Sequence, residues 1–150
     1  MVRCNAIFTG ILGSAMSVFG LLKFVDPFKS FYATQILKSE IPYPIITFWG
    51  GQFCEIFAGL VLIYILVSSS NSARKKTTYL FFLANITIII LMSAAFYVHM
   101  HVNVPIDVLP LKIRTPYVPV FFLVLAVLNI YFYPKNIGQL QNTSTLEDYI

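Results

Sequence analysis

Trp49-Gly50-Gly51-Gln52-Phe53-Cys54-Glu55-Ile56-Phe57-Ala58-Gly59 is the stretch whose reading decides the fold. It lies inside an apolar run long enough to cross a bilayer, yet it holds a carboxylate. Gly51, Glu55 and Gly59 recur every four residues, so on a helix they share one face, with Ala58 beside them. Glycines admit a neighbouring helix at close range, and an acid in hydrocarbon has to find a partner there. The stretch therefore predicts a helix packed inside a membrane bundle.

Composition points the same way. The chain is 58% hydrophobic and 11% charged, whereas a soluble domain is about a quarter charged. With a mean hydropathy of +0.79 it cannot cover itself with polar surface in water. Its 150 residues suit one compact bundle without a separate soluble domain. The net charge of +4 comes from Lys and Arg residues beside apolar segments, where anionic lipid headgroups attract them. No basic stripe with interleaved aromatics lies outside those segments, which argues against nucleic acid as a partner. Cys4 and Cys54 have no metal-ligand or redox-motif spacing, and Cys54 reads as a small buried hydrophobe.

Working outward from Glu55, the pattern predicts an all-α membrane protein, a bundle of four transmembrane helices at about 5–25, 45–67, 78–98 and 117–133. In the first span Gly13, Ser17, Gly20 and Phe24 follow one stripe, with Lys23 next to it. Asp26-Pro27 then suits a helix start, Asp as N-cap and Pro in the first turn. Over 27–39, Phe28, Phe31, Tyr32 and Ile36 fall on one side, while Lys29, Ser30, Thr34 and Lys38 fall mostly elsewhere. That segment is too short and too polar to span, so it reads as an interfacial amphipathic helix, with a connecting loop as the alternative. Pro42 and Pro44 favour extended backbone before the second span, and Trp49 suits an interfacial anchor.

Residues 68–72 form a polar turn, followed by the cationic run Arg74-Lys75-Lys76. Asn85, Thr87 and Ser93 in the third span, and Asn129 in the fourth, are expected to bond to backbone or to other helices. Beyond Pro134 the composition turns polar, and 134–150 reads as a flexible tail. Four spans put both termini on one side. Lys and Arg divide five against five across the two sides, but the compact 74–76 cluster in a short loop favours both termini in the cytoplasm of a cell-membrane protein.

Three constellations could carry chemistry. Glu55 must pair or protonate in the bilayer, and Lys23 is the base that borders a span with small residues beside it; snorkelling to the headgroups is the other reading of that lysine. His99, His101 and Asp107 form a polar group where the third span leaves the membrane, suited to interfacial hydrogen bonding. With no third nitrogen or thiolate in view, a metal site is not expected there. The connection 102–116 is apolar for a loop, so it suits folding back over the bundle mouth beside 27–39 and capping a cavity or docking a partner. Gly13, Gly20, Gly51 and Gly59 are the expected helix-packing positions.

Gly20-Leu21-Leu22-Lys23-Phe24 closing the first span, with Glu55 and Ala58-Gly59-Leu60 in the second, resembles the DoxX-like family of small four-helix membrane proteins. The resemblance covers about residues 5–133 and rests on Gly20, Lys23, Glu55 and Gly59. It implies a subunit or scaffold, non-catalytic on its own, working with a membrane redox partner, since the family includes a small subunit of a thiosulfate:quinone oxidoreductase. A quinone enters by this resemblance alone, and no cofactor motif is evident in the chain. Two further readings stand beside it. One is a small-molecule, quinone or ion-handling protein with an intramembrane Lys23–Glu55 site; the other is a membrane-protein assembly factor.

Overall fold

In the computed structural model the structure describes residues 2–68 and 74–147, with side chains from 5–68 and 77–133. Five helices follow one another: α1 (Val2–Leu22), α2 (Phe28–Lys38), α3 (Pro44–Val67), α4 (Arg74–Met100) and α5 (Tyr117–Glu147). Two 3-10 turns, Ile106–Val108 and Pro110–Lys112, sit in the connection between α4 and α5. By length and composition, three segments among the described residues can cross a membrane: Asn5–Leu22, Pro44–Val67 and Thr77–Met100. Tyr117–Tyr133 is a shorter apolar helix. The fold is all-helical and of membrane type.

The helix boundaries follow from local chemistry. α1 ends at Leu22, three residues before the expected limit of 25, and 23–27 turn the chain. The expected Asp26 N-cap is not made. Pro27 occupies the N-cap position of α2, and Asp26 instead accepts a hydrogen bond from the Ser30 hydroxyl at 2.5 Å. α3 opens with Pro44 at its first position, where a missing N–H costs nothing. Before it, Glu40 and Tyr43 both adopt left-handed backbone, with φ of 55°. α4 starts at Arg74, earlier than the expected 78, and α5 carries Pro119 in its first turn. The turn at 69–72 lies outside the described residues, as do the side chains of Arg74-Lys75-Lys76. Of the expected tail only the backbone to Glu147 is described, and it is helical.

α1 packs on α3 and α5, α3 on α4, and α4 on α5. Their shared core joins Leu12 and Met16 of α1, Ala58 and Leu62 of α3, Phe81, Ala84, Ile88 and Met92 of α4, and Phe122, Leu125 and Ala126 of α5. The tightest contact is between α1 and α3, which run antiparallel: Gly10 lies against Leu66, Gly13 against Gly59 and Ile63, and Gly20 against Ile56. A Cβ on Gly59 would stand 2.6 Å from the Ser17 backbone nitrogen and 2.8 Å from the Gly13 carbonyl oxygen. One on Gly20 would meet Ile56 Cγ1 at 2.6 Å. Gly51 lies against the short helix α2, where its missing Cβ makes room for the Tyr32 hydroxyl. Cys54, expected to be buried, is exposed, because the face carrying Phe53, Cys54 and Phe57 points away from the core.

The end of the molecule away from α2 is closed by amides. Asn129 Oδ1 accepts from Asn5 Nδ2 at 2.9 Å and from Thr9 Oγ1 at 3.1 Å, and Asn129 Nδ2 donates to Asn85 Oδ1 at 3.1 Å. Asn85 Nδ2 in turn donates to the Phe81 carbonyl at 2.8 Å. The network joins α1, α4 and α5 and satisfies side chains that are fully buried at Asn85 and Asn129. Thr87 and Ser93 instead bond to carbonyls one turn back, Leu83 and Ile89.

Replacing Gly59 with Ala forces backbone against backbone, so it should destabilise the protein by about 1–3 kcal/mol despite the better helix propensity of Ala. Gly50→Ala, on the same helix but facing open space, should be neutral or slightly stabilising. Thermal unfolding of the two variants in one detergent checks the contrast; equal melting temperatures would count against the α1–α3 contact.

Candidate functional site

At the α2 end, α1 stops within reach of α3's carboxylate. Lys23 Nζ lies 2.5 Å from Glu55 Oε1, the one ion pair among the described residues, with side chains 19% and 8% exposed. The close approach at Gly20 sets this meeting, because a Cβ there would also lie 3.3 Å from Glu55 Cβ. Gln52, one helical turn before Glu55 and fully buried, donates from Nε2 to the Lys23 carbonyl at 2.7 Å, capping a carbonyl left open where α1 ends. The Lys23 ammonium also stands 4.0 Å from the centre of the Tyr32 ring.

Tyr32 is therefore part of the site. Its hydroxyl donates to the Thr47 carbonyl at 3.4 Å. Burial raises its phenol well above the ordinary tyrosine range, and the negative charge of Glu55 adds to the shift. The ring stays neutral at any physiological pH, a face for the lysine and not a competitor for it.

Above this pair lies a cavity of about 710 Å³. Its floor is Lys23, Glu55 and Tyr32, and its walls include Met16, Leu91, Met92 and Phe122. α2 contributes Phe28, Phe31 and Ile36, and the α4–α5 connection contributes Val108, Leu109 and Leu111. The connection is held down on α2. Gln35 Nε2 donates to the Val108 carbonyl, Asn103 Nδ2 donates to Glu40 Oε1 at 2.8 Å, and Val104 and Leu109 are buried. Arg114 braces the same turn from within, donating to the carbonyls of His101 and Val104, each at 3.2 Å. Leu111 and Lys112 both have left-handed backbone at the cavity rim, with φ of 59° and 52°, a conformation that costs non-glycine residues about 1–2 kcal/mol each. Phe19, Phe28 and Leu111 line the cavity and are themselves exposed.

Three polar side chains mark the site. Glu55 Oε2 and Gln52 Oε1 are both buried without a hydrogen-bond partner among the described residues, and Glu55 lines the cavity. His99, also buried and lining the cavity, holds the Ala95 carbonyl through Nδ1 at 2.8 Å. A carbonyl can only accept, so that nitrogen carries the proton and Nε2 is left for other contacts.

Of the expected polar group, His99 and Asp107 line the cavity, but His101 does not join them. Helix α4 ends at Met100, so His101 leaves the helical path and lines a separate recess with Tyr97 and Asn103. No group of three or more His, Cys, Asp or Glu side chains able to hold a metal occurs among the described residues. Gln35, Gln52 and Tyr32 were not singled out by the sequence reading as site residues. A signal existed for Gln52, which precedes Glu55 by three and so shares its helix face. For Gln35 there was none, because its partner is a backbone carbonyl 73 residues away.

Comparison with protein-family models, with curated proteins and with solved structures finds no match.

Breaking the ion pair from one side leaves a charge stranded. Lys23→Met and Glu55→Leu should each destabilise the protein by about 3–5 kcal/mol, while the double variant should recover most of that loss. Unfolding of the three variants, read as a double-mutant cycle, would show simple additivity if the two side chains were independent.

Proposed function

We propose that the chain is a multi-pass membrane protein that binds a lipophilic small molecule, with the Lys23–Glu55 pair as the polar anchor of its cavity. The observation that carries this reading is that a cavity of about 710 Å³ reaches a buried carboxylate with one oxygen unpartnered. Pockets for small molecules are typically 300–1,000 Å³, mostly apolar, with a few convergent polar groups. A contact that served only to pack two helices would not need an ion pair, since the glycine surfaces already hold α1 on α3 and taking two charges out of water is costly.

In this reading α1, α3, α4 and the apolar part of α5 are four spans. Tyr117–Tyr133 sits at the short end of the 17–25 residues that cross a bilayer. α2 lies along the interface with its aromatic side on the cavity, and the 74–76 cluster holds that loop and both termini in the cytoplasm of a cell-membrane protein.

The resemblance to DoxX-like proteins supports a second reading of the same cavity, a non-catalytic subunit that serves a quinone-linked redox partner. Its favouring observation is that Gly20, Lys23, Glu55 and Gly59, the residues that carry the resemblance, all lie along the α1–α3 contact. Co-purification in mild detergent separates the two: a partner protein recovered in fixed ratio favours the second, and a monodisperse chain carrying only a small molecule favours the first.

Ala95 lines the cavity, so Ala95→Trp should fill it without touching the ion pair. Protein purified from membranes should release a lipophile on organic extraction, measured by mass spectrometry, and the folded Ala95→Trp variant should release several-fold less. Equal recovery from both proteins would remove the cavity as the binding site. Reporter fusions after residues 70 and 103 should fall on opposite sides of the membrane, with the C-terminus on the side of 70; any other pattern rules out four spans.

A further inference from the structure

Most polar side chains that line the cavity are spent on the protein itself. Lys23 holds Glu55 Oε1, the Tyr32 hydroxyl donates to the Thr47 carbonyl, Thr47 Oγ1 to the Pro42 carbonyl and Gln35 Nε2 to the Val108 carbonyl. Glu55 Oε2 and Gln52 Oε1 have no partner but are sealed, so neither offers a contact to a molecule in the cavity. His99 differs from both. The residue is 4% exposed and its Nδ1–H is taken by the Ala95 carbonyl. Its Nε2 has no partner among the described residues, yet it is not one of the sealed atoms. In the neutral ring that nitrogen is an acceptor. The other acceptors left in the lining, Gln35 Oε1 and the Asp107 carboxylate, belong to less buried residues.

The amide network at the far end fixes how deep His99 lies. Thr9 of α1 and Asn85 of α4 both bond to Asn129, which sets them at one level, and both helices run from there toward α2. Lys23 and His99 each follow about four turns later, so they reach the same end of the cavity. Met16, Leu91 and Met92 line it about two turns deeper. One end is polar and the depth is apolar. The charges in the lining already balance, Lys23 and Lys112 against Glu55 and Asp107, so a charged ligand would bring an uncompensated charge between apolar walls. We infer that the cavity takes an uncharged lipophile bearing a hydroxyl, and that His99 selects it by accepting the hydroxyl proton at Nε2. This rests on the reading of the cavity as a binding site. The chain of the ligand lies toward Met16, Leu91 and Met92. A lipophile without a donor leaves the imidazole nitrogen unsatisfied in a buried place. The Lys23 ammonium has N–H groups beyond the one on Glu55, but an alcohol and its ether offer it the same oxygen, so it does not tell them apart.

The probe is radiolabelled oleyl alcohol, bound to the full-length protein in nanodiscs of neutral lipid, with empty nanodiscs as the blank. Oleyl methyl ether, which keeps the oxygen and the chain but has no O–H, should compete about 5- to 30-fold more weakly than unlabelled oleyl alcohol, the worth of one buried hydrogen bond. Oleate and oleylamine, each charged, should compete at least about tenfold more weakly. His99→Leu should remove the preference for the alcohol over the ether, His99→Gln, which keeps an acceptor, should retain part of it, and Asp107→Asn should cost less of it than His99→Leu does. The ligand series on the unaltered protein tests the inference even if the His99 variants do not fold. Equal competition by alcohol and ether, stronger competition by oleate or oleylamine, or a preference that folded His99→Leu keeps overturns the inference; if Ala95→Trp still abolishes the saturable binding, the cavity stands as a binding site. Saturable binding that Ala95→Trp leaves unchanged overturns both. No binding above the blank overturns the inference, and the extraction of a lipophile from purified protein then decides the cavity reading by itself.

Discussion

Two opposite charges in an apolar interior are stable only against each other, and this requirement organises the α2 end of the molecule. Lys23 and Glu55 can meet at 2.5 Å because α1 and α3 approach at backbone distance, and they approach because Gly13, Gly20 and Gly59 have no side chains to hold them apart. The order of cause runs from the glycines to the pair. An ion pair alone would not draw two helices together in hydrocarbon strongly enough to offset the desolvation of both charges. Once packing has fixed the distance, the pair sets which residues surround it: Gln52 takes the Lys23 carbonyl, and Tyr32 lays its ring under the ammonium.

The molecule has two unlike ends. Toward the N-terminus of α1, amide side chains close a satisfied network in which each donor among Asn5, Thr9, Asn85 and Asn129 meets a partner, and the core around Leu12, Leu62, Phe81 and Leu125 is filled. Toward α2 the helices stand apart around a cavity, and the polar group at its floor is left half satisfied. The filled end fixes the helix register, so the hollow end can stay open without collapsing. The α4–α5 connection and α2 line it together, joined by Gln35 Nε2 donating to the Val108 carbonyl.

Much of the helical layout was legible in sequence because it depends on local properties. Apolar length marks α1, α3 and α4, prolines mark where helices begin, and the four-residue spacing of Gly51, Glu55 and Gly59 marks the inward face of α3. The burial of Glu55 follows from charge and hydrophobicity with no knowledge of neighbours, and Lys23 could be named as the candidate because few bases border a span. Where the reading failed, the missing information was geometric. His99 and His101 look like one group at a spacing of two, but α4 ends between them and sends them to different recesses. Gly51 was marked as a packing position, but which helix it would meet, α2 through the Tyr32 hydroxyl, depends on the tertiary fold.

The amino-acid sequence by itself determined that this chain is helical, that it is too apolar for water, and that its one acid inside an apolar helix must find company. Those conclusions follow from periodicity and transfer free energy, which each segment carries on its own. Only the tertiary structure decided that a cavity lies above that acid, that Glu55 Oε2 faces no partner, and that Gln35, Gln52 and Tyr32 belong to the same site. A void is a property of how several helices fail to touch, and no single stretch of sequence records the space between it and another.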